Sequence, residues 1–573
     1  MNRKTIYLIL TGTLILAACA SPTAVPAAEA ATSAPAATSA PAATSAPAAT
    51  SAPTGQPVPK IEVLSNTQAA DPIEFETTRL LVDNMRQLGL DVKQIAAPWE
   101  QQSDLVWNER DKWQMTAWRM VGRPERMDPD EIVYNLFHSS TAEKGYNFVG
   151  FVNEKYDELA TQQRGETDRD ARRQLIFDAQ RIIAEEVPYI FVAHPKLPYA
   201  YRSDVWKLES VVDAQGIGIK NFWTWIGVEP MGDQKDIIAN TADALVAINP
   251  LYIAGDAPSR LTELIWDRVM RIGPDGLPQP WAAESVKWED DINVVVKLRK
   301  GMKWHDGKPV TADDLIFSFQ APAGDEAPMY KPFVSRIANI EKIDNLTARF
   351  TLTQPWVAFE TASLAKLNLI PKHIWEPLLA DLATKEANAE SIVEETTGSG
   401  PYRFVAWTEL DQAILERNPD HWAAPKADRF IIRTIPNQEA ALGQLRSGEL
   451  NFLMEWAGDA TVIQALADED PNIELVATTD LGFRFFGMNM RMAPFDDRAF
   501  RRAIAHTLPK DAVVKNIFKG YAEQADSHVS VAIDYWHNPD LPQYAFDLEQ
   551  ARQLLLDAGY SYDADGLLLL PAE

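Results

Sequence analysis

The chain has 573 residues, 46% of them hydrophobic and 24% charged, enough for two or three domains with real cores. A formal net charge of −27 and a pI near 4.8 argue against nucleic-acid binding and against a polybasic membrane-surface role, because such a surface repels phosphates and anionic headgroups. The charge says little about a small ligand, since a cleft can differ in sign from the surface around it.

At the N-terminus, basic Asn2-Arg3-Lys4 precedes an apolar run over residues 6–18. That run is shorter than the roughly 20 residues of a membrane span and is expected to be the core of a secretory signal. It closes on Leu16-Ala17-Ala18-Cys19, which resembles a bacterial lipobox. The resemblance implies cleavage before Cys19 and a diacylglycerol on its thiol, so residues 1–19 are assigned to a lipoprotein signal peptide. The alternative is an ordinary cleavable signal with a stray cysteine. Cys19 is the only cysteine, which leaves no internal disulfide. Residues 20–56 are Ala/Pro/Ser/Thr-rich and repeat Ser-Ala-Pro-Ala-Ala-Thr; lacking anything large enough for a core, they are expected to form an extended tether.

Beyond residue 57 the pattern is mixed α/β. Residues 60–64 alternate like a strand, 73–88 carry apolar residues at helical spacing, and 90–92 start the next strand, which together predict a βαβ unit. Residues 168–185, 500–506 and 548–558 predict further amphipathic helices. Asp306-Gly307 is expected to turn an edge hairpin, with Thr311 capping a helix that starts at Ala312.

Trp281-Ala282-Ala283-Glu284-Ser285 and the run over 294–314, through Trp304-His305-Asp306-Gly307-Lys308-Pro309-Val310-Thr311, resemble the signature of family 5 extracellular solute-binding proteins. So do Gly398-Ser399-Gly400-Pro401-Tyr402, Gly487-Met488-Asn489-Met490 and residues 550–560. The resemblance implies an α/β, two-lobed periplasmic-binding-protein-like fold of class II type with an extra small domain. The order of the segments differs from the family's. Asp128-Pro129-Asp130, residues 146–157 and Asn221-Phe222-Trp223-Thr224-Trp225 resemble the family's C-terminal part and come first; residues 236–252 resemble its mature N-terminus and follow. Each piece occurs once, so the order reads as a circular permutation joined over 227–235. A gene-model or assembly artefact from adjacent paralogous genes is the alternative. On this reading lobe II comprises 57–194 and 491–573, lobe I comprises 195–280 and 398–490, the inserted small domain is 281–397, and hinge crossings fall at His194-Pro195 and Asn489–Ala493.

No paired-histidine metalloprotease helix, phosphate loop or Gly-x-Ser-x-Gly elbow occurs, and the eight histidines are scattered. No enzyme, metal or cofactor is therefore expected, and Asp128-Pro129-Asp130-Glu131 is expected to be a polar loop capping the helix over 132–137. In peptide-binding relatives an aspartate follows the residue matching Trp118 and pairs with the peptide amine. Here the run is Trp118-Arg119-Met120-Val121-Gly122, without that aspartate. An indole face beside an arginine suits a sugar ring or carboxylate, unless another loop supplies a carboxylate or Arg119 is spent on a structural ion pair. The expected ligand contacts are Trp118, Arg119, Tyr252, Ser399, Phe483, Phe485 and Asn489.

The resemblance implies the substrate-binding component of an ABC transporter, which captures a peptide, oligosaccharide or similar solute by lobe closure and delivers it to a membrane permease. It also implies an extracytoplasmic monomer whose only membrane contact is its lipid anchor. A solute sensor or chaperone without a transporter, and a surface hydrolase, are the alternatives.

Overall fold

The computed structural model describes residues 55–572 apart from 123, 243, 244, 246, 252–255, 325, 326, 328, 329, 385–394 and 457. The expected signal, Cys19 and nearly all of the tether lie outside the described residues. The first unit is the expected βαβ: β1 (Ile61–Asn66), α1 (Pro72–Arg86) and β2 (Val92–Ala97), with β1 and β2 parallel. Asp71 starts α1, accepting the Glu74 N–H at 3.0 Å, and Pro72 occupies the first turn, where its missing N–H costs nothing. Helix α2 (Trp99–Asn108) follows β2 directly; β3 (Met115–Met120), α3 (Asp130–Phe137), α4 (Glu154–Gln162) and α5 (Arg169–Glu186) complete the first segment. Asp168 caps α5, and Ile176, Ala179 and Ile183 form its buried stripe.

The 14-residue strand β4 (Tyr189–Arg202) organises the molecule. After it come β5 (Asp236–Thr241), the hairpin β6 (Met270–Ile272) and β7 (Pro278–Pro280), and a four-stranded antiparallel sheet of β8 (Ala283–Trp288), β9 (Asn293–Leu298), β10 (Ile337–Lys342) and β11 (Thr347–Leu352). Strands β12 (Tyr402–Thr408), β13 (Gln412–Arg417), β14 (Arg429–Thr434), β15 (Phe452–Leu453), β16 (Ile473–Thr479), β17 (Phe483–Met488) and β18 (Ala522–Gln524) finish the main sheet. Its order is β12-β13-β14-β5-β15-β4-β17-β3-β1-β2, with β16 and β18 also on β4.

The first half of β4 pairs with β17 and β18, and the second half with β15 and β16. Among the described residues, the chain passes between the two halves of the sheet only at His194–Lys196 within β4 and at Asp480–Gly482 between β16 and β17. The two crossings are bonded to each other: the Asp480 N–H donates to the Pro195 carbonyl at 2.8 Å, and His194 Nδ1 lies 2.9 Å from the Gly482 carbonyl. The first crossing falls at the expected place. The second corrects the expectation of Asn489–Ala493, because all of β17 pairs inside lobe II with β3 and β4. Lobe I accordingly ends near 480, not 490. Thr478-Thr479-Asp480-Leu481-Gly482 interrupts the apolar pattern of residues 473–488 at the link, as any bend between strands would, without marking a change of neighbours.

One continuous core runs from Tyr199 and Trp225 through Val294, Val296 and Phe350 to Phe452, so the inserted sheet shares its interior with lobe I. Lobe II has two cores, one on each face of its half-sheet, around Ile61, Leu81 and Phe500 and around Phe148, Tyr189 and Phe485. Residues 56–58 and 568–570 hydrogen-bond to each other: the Val58 N–H donates to Leu568 O at 2.9 Å and the Leu570 N–H to Gln56 O at 2.8 Å. Asp306-Gly307 makes its turn beside a single bridge, Lys303 to Pro309, and the Thr311 N–H donates to Asp314 Oδ2 at 2.9 Å where the helix Ala312–Gln320 begins.

Candidate functional site

Strand direction locates the site. Strands β1 and β3 are parallel to each other and both β3 and β4 are antiparallel to β17, so β1, β2 and β3 run the same way as β4, toward lobe I. Strand β15 is antiparallel to β4 and parallel to β5, which is parallel to β14, so these three run toward lobe II. The carboxyl ends of both sets therefore face one another across the crossings, and the loops beyond carboxyl strand ends are where open α/β sheets hold ligands.

On the lobe II side the charges form a closed set. Arg484 Nη1 donates to Asp71 Oδ2 at 2.8 Å, and Arg119, its cross-strand neighbour, reaches the same oxygen at 3.8 Å. Glu74 lies 4.0 Å from Arg484 and accepts the Asn66 backbone N–H at 2.8 Å. Burial pushes the Glu74 carboxyl above its usual range, against the pull of Asn66 and Arg484. On the lobe I side Glu455 accepts the Ala242 N–H at 2.6 Å and lies 3.7 Å from Arg260. Burial brings Lys220 down to about 7; Arg260 adds to this, while Glu455 and Asp480 oppose it.

An aromatic group flanks these ends. Trp99, the first residue of α2, packs on Trp118 with ring centres 4.5 Å apart and is 39% exposed. Trp107, at the other end of the helix, touches Trp118 at 6.2 Å and Tyr146 at 5.3 Å.

Most expected ligand contacts are used internally, a correction to the sequence reading. Trp118 is only 5% exposed because α2 lies over it; Phe485 sits opposite it in the β3–β17 register, and Phe483 and Phe485 fill the same core. Ser399 is buried and donates to Asp267 Oδ2 at 2.9 Å, in a knot where Asp267 also accepts from Trp281 Nε1 at 2.7 Å and meets His421. Asn489 is buried and donates to the Arg110 and Trp113 carbonyls, each at 2.7 Å. Arg119 does present surface, with 55% of its side chain exposed, but it is paired with Asp71. Tyr252 lies outside the described residues. Asp128 and Asp130 hold arginines: Asp128 takes Arg172 at 2.6 and 2.7 Å, and Asp130 takes Arg164 at 2.8 Å.

Sequence reasoning missed Trp99, Asp71 and Arg484. Asp71 had a signal as the residue before Pro72 at a helix start, and Trp99 as the residue after Pro98 at a strand end. It also missed Asp480, a carboxylate that comes from the second crossing to the loop after Trp118. Burial raises the pKa of Asp480, opposed by the backbone N–H groups of Gly482, Leu481 and Gly122, and a side chain at Gly122 would run into it.

Two α/β lobes with facing strand ends and two adjacent crossings define a two-lobed protein of the periplasmic-binding-protein type. The family model for bacterial extracellular solute-binding proteins, family 5 Middle, matches residues 278–572, just over half of the sequence, and the chain belongs to that family. Among curated relatives, the oligopeptide-binding protein AppA of Bacillus subtilis (strain 168) is 27% identical over 345 residues, covering 58% of this chain and 61% of AppA. Heme-binding protein A of Haemophilus influenzae is 27% identical over 343 residues, 56% of this chain and 61% of that protein. The glutathione-binding protein GsiB of Pectobacterium atrosepticum is 29% identical over 337 residues, with 58% and 62% covered. The chain thus spans about three fifths of the length of the curated relatives it matches. Among solved structures, HbpA2 from Haemophilus parasuis aligns with a TM-score of 0.47 at 22% identity, covering 56% of this chain and 67% of HbpA2. No helix among the described residues is long and apolar enough to cross a membrane.

Proposed function

We propose that this chain is the solute-binding component of an ABC importer, which captures an extracellular solute between its lobes and presents the closed form to a membrane permease. One observation carries the reading: two lobes whose covalent links among the described residues are two adjacent crossings, with the carboxyl strand ends of each aimed at the other. Such a body can rotate about the crossings, and a solute that touches both lobes binds the closed form selectively. Names of relatives add a range of cargo: an oligopeptide, heme and glutathione. For this chain the charges at the strand ends are paired, while the exposed indole of Trp99 offers a stacking face. That favours an oligosaccharide or other polyhydroxy solute over a short peptide, whose ammonium would have to draw on Asp480, a carboxylate already accepting the backbone N–H groups of Gly482, Leu481 and Gly122. The protein acts as a binder without turnover, as an extracytoplasmic monomer held to the membrane through Cys19.

The test is solution scattering. A solute of confirmed binding should reduce the radius of gyration as the lobes close, and an unchanged profile would refute the mechanism.

The segment order is a genuine circular permutation on this reading. Supporting it, lobe II is assembled from residues on both sides of lobe I, and its two outer segments meet in the bonds between 56–58 and 568–570. A reordered chain that runs 236–572 and then 57–228, joined by a short linker, should fold with a melting temperature within a few degrees of the original. A reordered chain that does not fold would count against it.

A further inference from the structure

The inserted domain touches lobe II far from the two crossings, along the chain, at a small and specific contact. The segment after β11 carries Trp356, which packs with Phe359 in the inserted-domain core. From there the Trp356 indole N–H donates to Asp130 Oδ2 at 3.3 Å, and the Val357 backbone N–H donates to the Arg164 carbonyl at 2.8 Å. Glu360 accepts the Trp288 indole N–H at 2.8 Å within the inserted domain and lies 4.0 Å from Arg169 at the start of α5. A Cβ at Gly165 would sit 3.2 Å from Pro355 Cβ. The acceptors are held rigidly: Arg164 and Gln163 fix Asp130, and Arg172 is clamped on Asp128 beside it.

Two facts give this contact a consequence. The inserted domain shares one core with lobe I, so it moves with lobe I; Asp130, Arg164 and Gly165 belong to lobe II. The contact therefore joins bodies whose covalent links among the described residues are the two crossings, and it can persist only while the lobes are together.

We propose that Trp356, Val357, Asp130 and Arg164 form an interlobe latch that stabilises the closed form without touching the solute, so that these residues set solute affinity from a distance. The inference rests on the reading of the two lobes as bodies that open and close. A contact present only in the closed form raises the closed population before ligand arrives, and the apparent affinity rises with that fraction. Losing a hydrogen bond to a charged acceptor shifts such an equilibrium about tenfold toward the open form.

The experiment uses the ligand-free full chain, carrying Cys19→Ser so that spin labels at Gln174→Cys on α5 and Asn339→Cys on β10, both exposed positions, are the only thiols. Electron–electron distance measurements are compared for this parent, for Trp356→Phe, which keeps an aromatic ring in the core but removes the donor, and for Gly165→Leu, which wedges Pro355 away and leaves both cores untouched. Each variant should add or enlarge a long-distance population about tenfold. Should Trp356→Phe fail to fold, Gly165→Leu decides alone. Distance distributions identical to the parent in the folded variants would overturn the latch, whether or not a solute compacts the protein in scattering. Failure of compaction with a bound solute would instead remove the closure reading itself.

Discussion

His194 sits at the first crossing, fully buried, and its titration gives a measurable stability term. Burial lowers its pKa from 6.5 to about 4; the bond to the Gly482 carbonyl opposes this, His537 adds to it, and Asp526 and Glu523 oppose it. In the folded state the ring stays neutral down to that value, whereas the unfolded chain takes up its proton near 6.5. Between these values the unfolded state binds more protons, so stability is complete above pH 6.5 and falls as the pH drops toward 4. The gap corresponds to about 3 kcal/mol. Replacing His194→Gln removes the titrating group and keeps a side chain that can donate to Gly482. Urea unfolding followed by tryptophan fluorescence, at pH steps from 7.5 to 4, should show the parent losing its advantage over the variant by about 3 kcal/mol across that range. Parallel stability curves for the two proteins would refute the argument, because every other group is common to both.

Trp118→Ala should cost about 3–5 kcal/mol in thermal or chemical unfolding, since it empties a packed core site under α2. Trp99→Ala should cost about 1 kcal/mol or less, and should reduce the melting shift produced by oligosaccharides in a ligand screen; a large peptide shift indifferent to Trp99→Ala would reverse the solute preference. Cys19→Ala should move the protein from the membrane pellet to the soluble fraction, and retention in the pellet would refute lipid attachment.

Elements with a local cause were legible. Alternation gave β1, and helical spacing of apolar residues gave α1 and α5. The alternation of β3 placed Trp118 and Arg119 on opposite faces, yet nothing in it indicates that α2 covers one of those faces. The charged cluster was illegible for a different reason: Asp71 and Arg484 are 413 positions apart, and their pairing depends on β17 inserting between β3 and β4. The second crossing was misplaced because Asp480-Leu481-Gly482 reads like an ordinary bend between two strands and does not announce a change of lobe.

The insertion of β17 has a consequence for the order in which the molecule can be built. Residues from 57 to β3 leave the ribosome before lobe I, but the strand that joins β3 to β4, and the Phe486, Phe500 and Ala551 side chains that complete the core around Ile61 and Leu81, arrive well after it. The stretch from β5 to Met454, by contrast, contains most of its own core. Assembly should begin in the middle of the chain, while the segment from β1 to β4 waits with a bare strand edge, a long-range closure of the slow kind. A polypeptide cut after Asp480 would keep most of the lobe I core and lose the strand that joins β3 to β4.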